Sequence, residues 1–352
     1  MIGRRTGAPP VACALRSVLA AACVLTAAVL VTPSTTAAAA SVGGSGIAGR
    51  PSAGCTLAQP ATPGTTDRLL AAAGDDGAYV REIPPSYTGR TPVPLVVDLH
   101  GYEEPATGQV AMSDLGAYGA SHGFVTVTPQ VAGAIPMWQT GLHSRDMAFL
   151  GALLDTAEAT LCVDRARVYV TGLSNGAFMT SAVACVYADR VAAVAPVAGI
   201  QTPAGCHPSR PVPVVAFHGT ADPFVAYGGG LGPSALALPA PDGSGRTVGQ
   251  LIGPNGAGRA GPSVPSITAT WARRNGCAAH PTSRAVAAGV TEIAYRCPGG
   301  ADVDLYRITG GGHAWPGSAV SQAVGSVVGY TTMAISADAI IWRFFEAHPL
   351  RG

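Results

Sequence analysis

Residues 93–99 read VPLVVDL, a short and nearly continuous apolar run. That pattern belongs to a strand buried on both faces of a sheet. Just before it, residues 78–83 (AYVREI) alternate like a strand. The pattern then repeats along the chain. Residues 112–122 predict a helix and 124–127 a strand. Residues 145–161 predict a helix, with Met147, Leu150, Leu153 and Leu154 at helical spacing. Strands follow at 167–171, 191–197 and 212–217, with a helix at 177–187. A helix at 266–274, strands at 292–295 and 302–308, and a helix at 336–347 complete the series. Strands alternating with helices of this length imply an α/β fold with a mainly parallel central sheet and helices on both faces.

This texture begins at residue 75 and runs to 352, which suits one catalytic domain. Residues 41–74, rich in Gly, Pro, Ala and Thr, read as a linker or N-terminal arm. Residues 228–265 interrupt the rhythm with another Gly/Pro-rich stretch. An insertion this long is either a lid or wall of a site, or a disordered surface loop.

Residues 1–40 read as an export signal. Arg4 and Arg5 open it, an apolar stretch follows, and small residues fill 37–40. The apolar stretch is roughly 14–16 residues, short of the ~20 needed to span a membrane. No membrane contact is expected once it is removed. The chain has 21 basic residues, all Arg, and 20 acids. Loss of Arg4, Arg5 and Arg16 leaves 18 against 20, a net charge of −2 with no basic run. That argues against nucleic acid as a partner.

Cys13 and Cys23 leave with the signal, and six of the eight Cys remain. An even number in an exported chain suggests disulfides. Cys277–Cys297 and Cys185–Cys206 each close a loop of about 20 residues, worth roughly 3 kcal/mol in the chain-entropy model. Cys55–Cys162 follows by exclusion. The absence of any Cys-x-x-Cys pair argues against zinc, and no other metal or cofactor is implied.

The candidate chemistry centres on Gly172-Leu173-Ser174-Asn175-Gly176, between a predicted strand and a predicted helix. This is the setting of a nucleophile elbow, with Ser174 as nucleophile. A serine hydroxyl needs a base. His313, in Gly310-Gly311-Gly312-His313-Ala314-Trp315-Pro316, follows the last predicted strand, and its glycines are read as leaving the ring exposed but fixed. Asp222 leaves the end of the strand at 212–217 and is the candidate acid that orients the imidazole. The backbone N–H groups of Asn175 and Tyr102 are the candidate oxyanion donors. Trp138 and Trp315 are candidate pocket walls, with ordinary packing as the alternative. Asp146 reads as a helix cap and His218 as a structural hydrogen-bonder; Asp302 and Asp304 are runners-up for the acid, but they alternate on a strand, which suits a solvated face.

The strings VPLVVDLHGY, ARVYVTGLSNGAFMTSAVAC, DRVAAVAPVAG, PVPVVAFHGTADPFVAYGGG and GGGHAWPG resemble the secreted polyhydroxybutyrate depolymerase and feruloyl esterase family. The likeness runs from about residue 78 to 349. It implies an α/β-hydrolase fold and ester hydrolysis through an acyl-enzyme. Ser174, Asp222 and His313 fall on the family's nucleophile, acid and base. Glu103 and Glu104 depart from it, standing where glycines are often found after the His-Gly pair.

The leading expectation is a secreted esterase acting on hydroxyalkanoate polyester or its oligomers. The alternative substrate is a feruloyl or other phenolic ester of plant polysaccharide. A serine peptidase, an acyltransferase or an inactive binding protein of the same fold are further alternatives. The sequence leaves the oligomeric state open.

Overall fold

The computed structural model describes residues 49–256 and 258–351. The export signal expected at 1–40 lies outside them. The strands are β1 (Gly64–Ala72), β2 (Asp75–Ile83), β3 (Val93–Leu99), β4 (Val125–Val131), β5 (Val163–Leu173), β6 (Ala193–Val197), β7 (Val214–Gly219), β8 (Thr282–Ala287), β9 (Val290–Tyr295) and β10 (Val303–Ile308). The helices are α1 (Ala106–Ser113), α2 (Leu115–His122), α3 (Arg145–Thr160), α4 (Asn175–Val186), α5 (Pro233–Ala237), α6 (Val248–Ile252), α7 (Val264–Arg274), α8 (Ala319–Ala323), α9 (Gly325–Val328) and α10 (Ala337–Ala347).

All the strands join one sheet in the order β1-β2-β4-β3-β5-β6-β7-β10-β9-β8. From β4 to β10 every neighbour is parallel. The antiparallel pairs lie at the two ends of the sheet. Alternation along the buried strands feeds two cores. On β3, Leu95, Val97 and Leu99 join the core under α3, α4 and α7, while Val96 joins the core under α2 and α10. On β7, Val214 and Ala216 face the first core, and Val215 and Phe217 the second. Period-two side chains on a sheet covered on both faces produce this division.

Within the 41–74 arm, the described residues 49–74 are not a free linker. Residues 64–72 form β1, which pairs with β2 across Ala73-Gly74. Both turn residues have positive φ, 59° and 82°, as a two-residue type I′ hairpin requires. Upstream, the Ser52 hydroxyl donates to Leu161 O (2.6 Å), and Cys55 is disulfide-bonded to Cys162. The other two bonds are Cys185–Cys206 and Cys277–Cys297.

Two further differences are local. The helix expected at 112–122 is two helices, because Asp114 between them adopts a left-handed conformation (φ 53°). The described residues of the stretch at 228–265, all but residue 257, carry α5, α6 and the start of α7. Its ends meet where Val264 N–H donates to Tyr227 O (3.0 Å). Among the described residues, no helix is long and apolar enough to cross a membrane, and no group of three or more His, Cys, Asp or Glu could hold a metal ion.

Candidate active site

Ser174 sits between β5 and α4 with φ 58° and ψ −116°, an uncommon conformation for a residue with a side chain. Such backbone strain costs on the order of 1–3 kcal/mol and persists only where the surroundings impose it. Here they do. Ser174 N–H donates to Val197 O at the end of β6 (2.9 Å). The flanking glycines allow β3 to approach. A Cβ on Gly176 would stand 2.1 Å from Leu99 O, and one on Gly172 would stand 2.6 Å from the same oxygen. The glycines of the elbow are thus required by backbone contact with β3 as well as by the turn.

Asn175 opens α4, and its backbone N–H has no acceptor among the described residues. Its side-chain amide clamps the backbone of Trp138. Oδ1 accepts from Trp138 N–H (2.6 Å), and Nδ2 donates to Trp138 O (3.2 Å).

Asp222 lies in the turn after β7, and His313 lies after β10, the neighbour of β7 in the sheet. His313 Nδ1 is 2.8 Å from Asp222 Oδ2. Asp222 Oδ1 accepts from the N–H groups of Phe224 (2.8 Å) and Val225 (2.9 Å). His218 Nε2 stands 3.4 Å from Oδ2 and lies 2.8 Å from Val225 O, so this ring braces the acid's turn. Burial pushes the Asp222 carboxyl up, but His313, His218 and the Val225 N–H together outweigh it and hold the group below its ordinary range. A direct hydrogen bond between Ser174 and His313 is not among the contacts. The two are linked through Phe224, whose ring centre lies 4.9 Å from that of His313 and which lines the same cavity as Ser174.

His313 is only 6% exposed, so the Gly-rich loop does not present the ring to solvent. Its glycines serve close packing. A Cβ on Gly312 would stand 2.0 Å from Val328 O, and one on Gly219 would stand 2.2 Å from Gly311 O.

The loop after β3 forms another wall. His100 is fully buried beside Trp138, and its Nδ1 lies 2.7 Å from Gly101 O. Burial drops its pKa to about 4, so the ring is neutral. Glu103 N–H donates to Pro136 O (2.8 Å), and Gly101 N–H donates to Glu104 Oε2 (2.7 Å). Tyr102 N–H, between them, has no acceptor among the described residues. The Tyr102 hydroxyl donates to Pro239 O in the insertion (2.8 Å).

Ser174 and Asn175 open onto a cavity of about 230 Å³. Met137, Phe178 and Phe224 line one part, and Leu231, Leu238, Leu251 and Ile252 of the insertion line another. A larger groove of about 630 Å³ lies between the β8–β10 end of the sheet and α10. Its Arg284–Glu292 and Arg296–Asp304 pairs satisfy each other. The smaller cavity is the one that holds the nucleophile candidate.

Neither tryptophan walls this cavity. Trp138 is buried, with its indole N–H on His100 O (3.0 Å), and Trp315 is buried, with its indole N–H on Asp338 Oδ1 (2.8 Å). Asp146 is not the cap of α3. Ser144 caps it by accepting from Met147 N–H, and Asp146 Oδ2 accepts from Gln139 N–H (2.7 Å). Asp304 is buried at 5% exposure and paired with Arg296, so it does not lie on a solvated face.

No family model matches the chain. Among curated proteins it is similar to feruloyl esterase B of Piromyces equi, 28% identical over 244 residues, which are 66% of this chain and 42% of that protein. It is also similar to poly(3-hydroxyalkanoate) depolymerase C of Paucimonas lemoignei, 37% identical over 115 residues, 30% of this chain and 28% of that protein. The chain thus spans less than half the length of either relative. Among solved structures, an acetyl xylan esterase from Aspergillus awamori superposes with a TM-score of 0.54 at 14% identity, covering 80% of this chain and 99% of that one. The chain has the α/β-hydrolase fold. Its curated relatives carry the names of both groups that its motifs resemble.

In an α/β-hydrolase, the nucleophile precedes the acid and the acid precedes the histidine along the chain. Ser174, Asp222 and His313 follow that order. Sequence reasoning missed the Asn175 amide clamp, the Phe224 ring and the Glu104 contact. Phe224 lies two residues beyond Asp222, and only the turn geometry reveals that it faces the cavity. Glu104 stood out as a departure from the family, but without an assigned contact.

Proposed function

We propose that this protein is a secreted serine esterase that hydrolyses carboxylic esters through an acyl-enzyme, with Ser174, His313 and Asp222 as its triad. The observation that supports the reading is the buried Asp222–His313 pair, packed against Phe224, whose ring lines the same apolar cavity as the strained Ser174. Ser174 Oγ attacks the ester carbonyl carbon as His313 Nε2 takes its proton. Asp222 holds the Nδ1–H tautomer and stabilises the imidazolium. The oxyanion of the tetrahedral intermediate accepts from the N–H groups of Asn175 and Tyr102. The intermediate collapses, and the alcohol leaves with the proton from His313. Water, deprotonated by the same ring, then attacks the acyl-enzyme and releases the acid.

The relatives favour two substrate classes, hydroxyalkanoate oligomers and feruloyl esters. An export signal at 1–40, together with three disulfides, supports action outside the cell.

The test is labelling with a serine-reactive fluorophosphonate, followed by turnover of 3-hydroxybutyrate oligomers and methyl ferulate. Labelling should vanish in Ser174→Ala, and kcat should fall by roughly 10⁵-fold or more. A preference above about tenfold, or some 1.4 kcal/mol, for either ester assigns the class. Absence of both labelling and turnover in the wild-type protein overturns the reading.

A further inference from the structure

The turn at 100–104 carries a partly buried contact that ester hydrolysis by the triad does not use. Gly101 N–H and Glu103 N–H are both occupied, the first by Glu104 Oε2 (2.7 Å) and the second by Pro136 O (2.8 Å). Between them, Tyr102 N–H is left without an acceptor among the described residues. Glu103 has φ 60°, a left-handed conformation that must be held from outside. His100 Nδ1, 2.7 Å from Gly101 O, holds the Gly101–Tyr102 peptide, the one that carries the Tyr102 N–H. A Cβ built on Gly101 would lie 2.9 Å from Glu104 Oε2 and 3.7 Å from Ser174 Cβ. The carboxylate and the nucleophile's Cβ are therefore at most 6.6 Å apart, the sum of those two distances.

We propose that Glu104 is a positioning residue for the reaction: by taking up the Gly101 N–H, it sets the turn that leaves the Tyr102 N–H free and aims it at the ester oxygen. The assignment rests on the esterase reading above. A hydrogen bond to a charged acceptor is stronger and shorter than one to a neutral acceptor, which suits a turn that must not relax when substrate enters. Were the Gly101 N–H released, the His100–Gly101 peptide would lose its anchor, and the next peptide, which carries the Tyr102 donor, would be held through Gly101 O alone. Burial is the larger influence and holds the Glu104 carboxyl above its ordinary range, against the pull of the Gly101 N–H and His313. Glu104 itself touches no reacting atom.

The experiment compares Glu104→Gln, Glu104→Asp and Glu104→Ala in the full chain, with 4-nitrophenyl butyrate as substrate and a trifluoromethyl ketone as oxyanion mimic. Thermal melts report folding. Glu104→Ala should lower kcat by roughly 10²-fold, the scale of a misaimed or lost oxyanion donor, with KM changed less than about threefold. Affinity for the ketone should fall in parallel. Glu104→Gln keeps an acceptor and should recover kcat to within about fivefold of wild type. Should Glu104→Ala not fold, Glu104→Asp keeps the charge but shortens the reach by one methylene, and must show the same loss of kcat and ketone affinity. Unchanged kcat in folded Glu104→Ala or Glu104→Asp overturns the proposal. So does an equal loss in the Gln and Ala variants, which would make charge the cause. An inert wild-type enzyme that fails to label at Ser174 instead brings down the esterase reading itself, and is seen before any variant is made.

Discussion

Both oxygens of Asp222 are engaged, one by two backbone N–H groups of its own turn and the other by His313. An amide there would place an N–H against His313 Nδ1 and force the wrong tautomer. Asp222→Asn should therefore lower kcat by roughly 10⁴-fold with little change in melting temperature, checked by steady-state kinetics beside a thermal melt. Asp98 poses the opposite problem. It is fully buried, with Gln109 Nε2 on one oxygen (2.7 Å) and the Ser113 hydroxyl on the other (2.6 Å). Burial outweighs both contacts and raises its pKa to about 8. The folded chain keeps this proton, whereas the unfolded chain releases it near pH ~4. Stability contributed by the protonated group is thus present at acid pH and is lost as pH rises between those two values. Asp98→Asn should flatten the fall in melting temperature between pH 5 and pH 8, and parallel profiles for the two proteins would refute this. At the scale of single residues, the candidates were legible. Ser174 and His313 stand in glycine-rich turns at strand ends, and Asp222 in the turn that leaves β7. The partners of Trp138 and Trp315 did not, since an indole N–H is satisfied by whatever acceptor the tertiary fold brings near.

Elements were legible in proportion to their burial. The apolar runs of β3, β6 and β7 can only be interior strands, and each was readable. β1 was hidden because most of its residues are exposed, Leu69 to 90%, so no alternating pattern marks it. β8 is an edge strand of the same kind. The helices of the insertion are five residues each, too short for periodicity to reveal, and Thr247 closes a capping box on α6 that only local geometry discloses. The insertion meets the loop after β3 through Tyr102 and Pro239. Removing that hydroxyl in Tyr102→Phe should loosen the wall formed by Leu238, Leu251 and Ile252. KM for a long-chain acyl ester should rise by several-fold, on the scale of one hydrogen bond, and by less for an acetate ester. Equal KM changes for the two esters would mean that the tether does not shape the cavity.

At the scale of the molecule, the parallel strands deliver Ser174, Asp222 and His313 to the same edge of the sheet, the position where open α/β sheets place ligands. The N-terminal arm is part of this body because Cys55 reaches Cys162 across a sequence separation of 107 residues. In the chain-entropy model, replacing both cysteines by alanine should lower stability by about 4–5 kcal/mol, measured by urea unfolding, whereas losing either of the shorter links should cost about 3. The insertion stands apart from this cross-linked body in one respect. Its two stems touch at Tyr227 and Val264, so the chain leaves the hydrolase scaffold and returns to it at nearly the same point. It is geometrically a cassette: a tight turn joining those stems could replace it without moving a strand, and exchanging its contents would reshape the cavity at Ser174 on an unchanged scaffold.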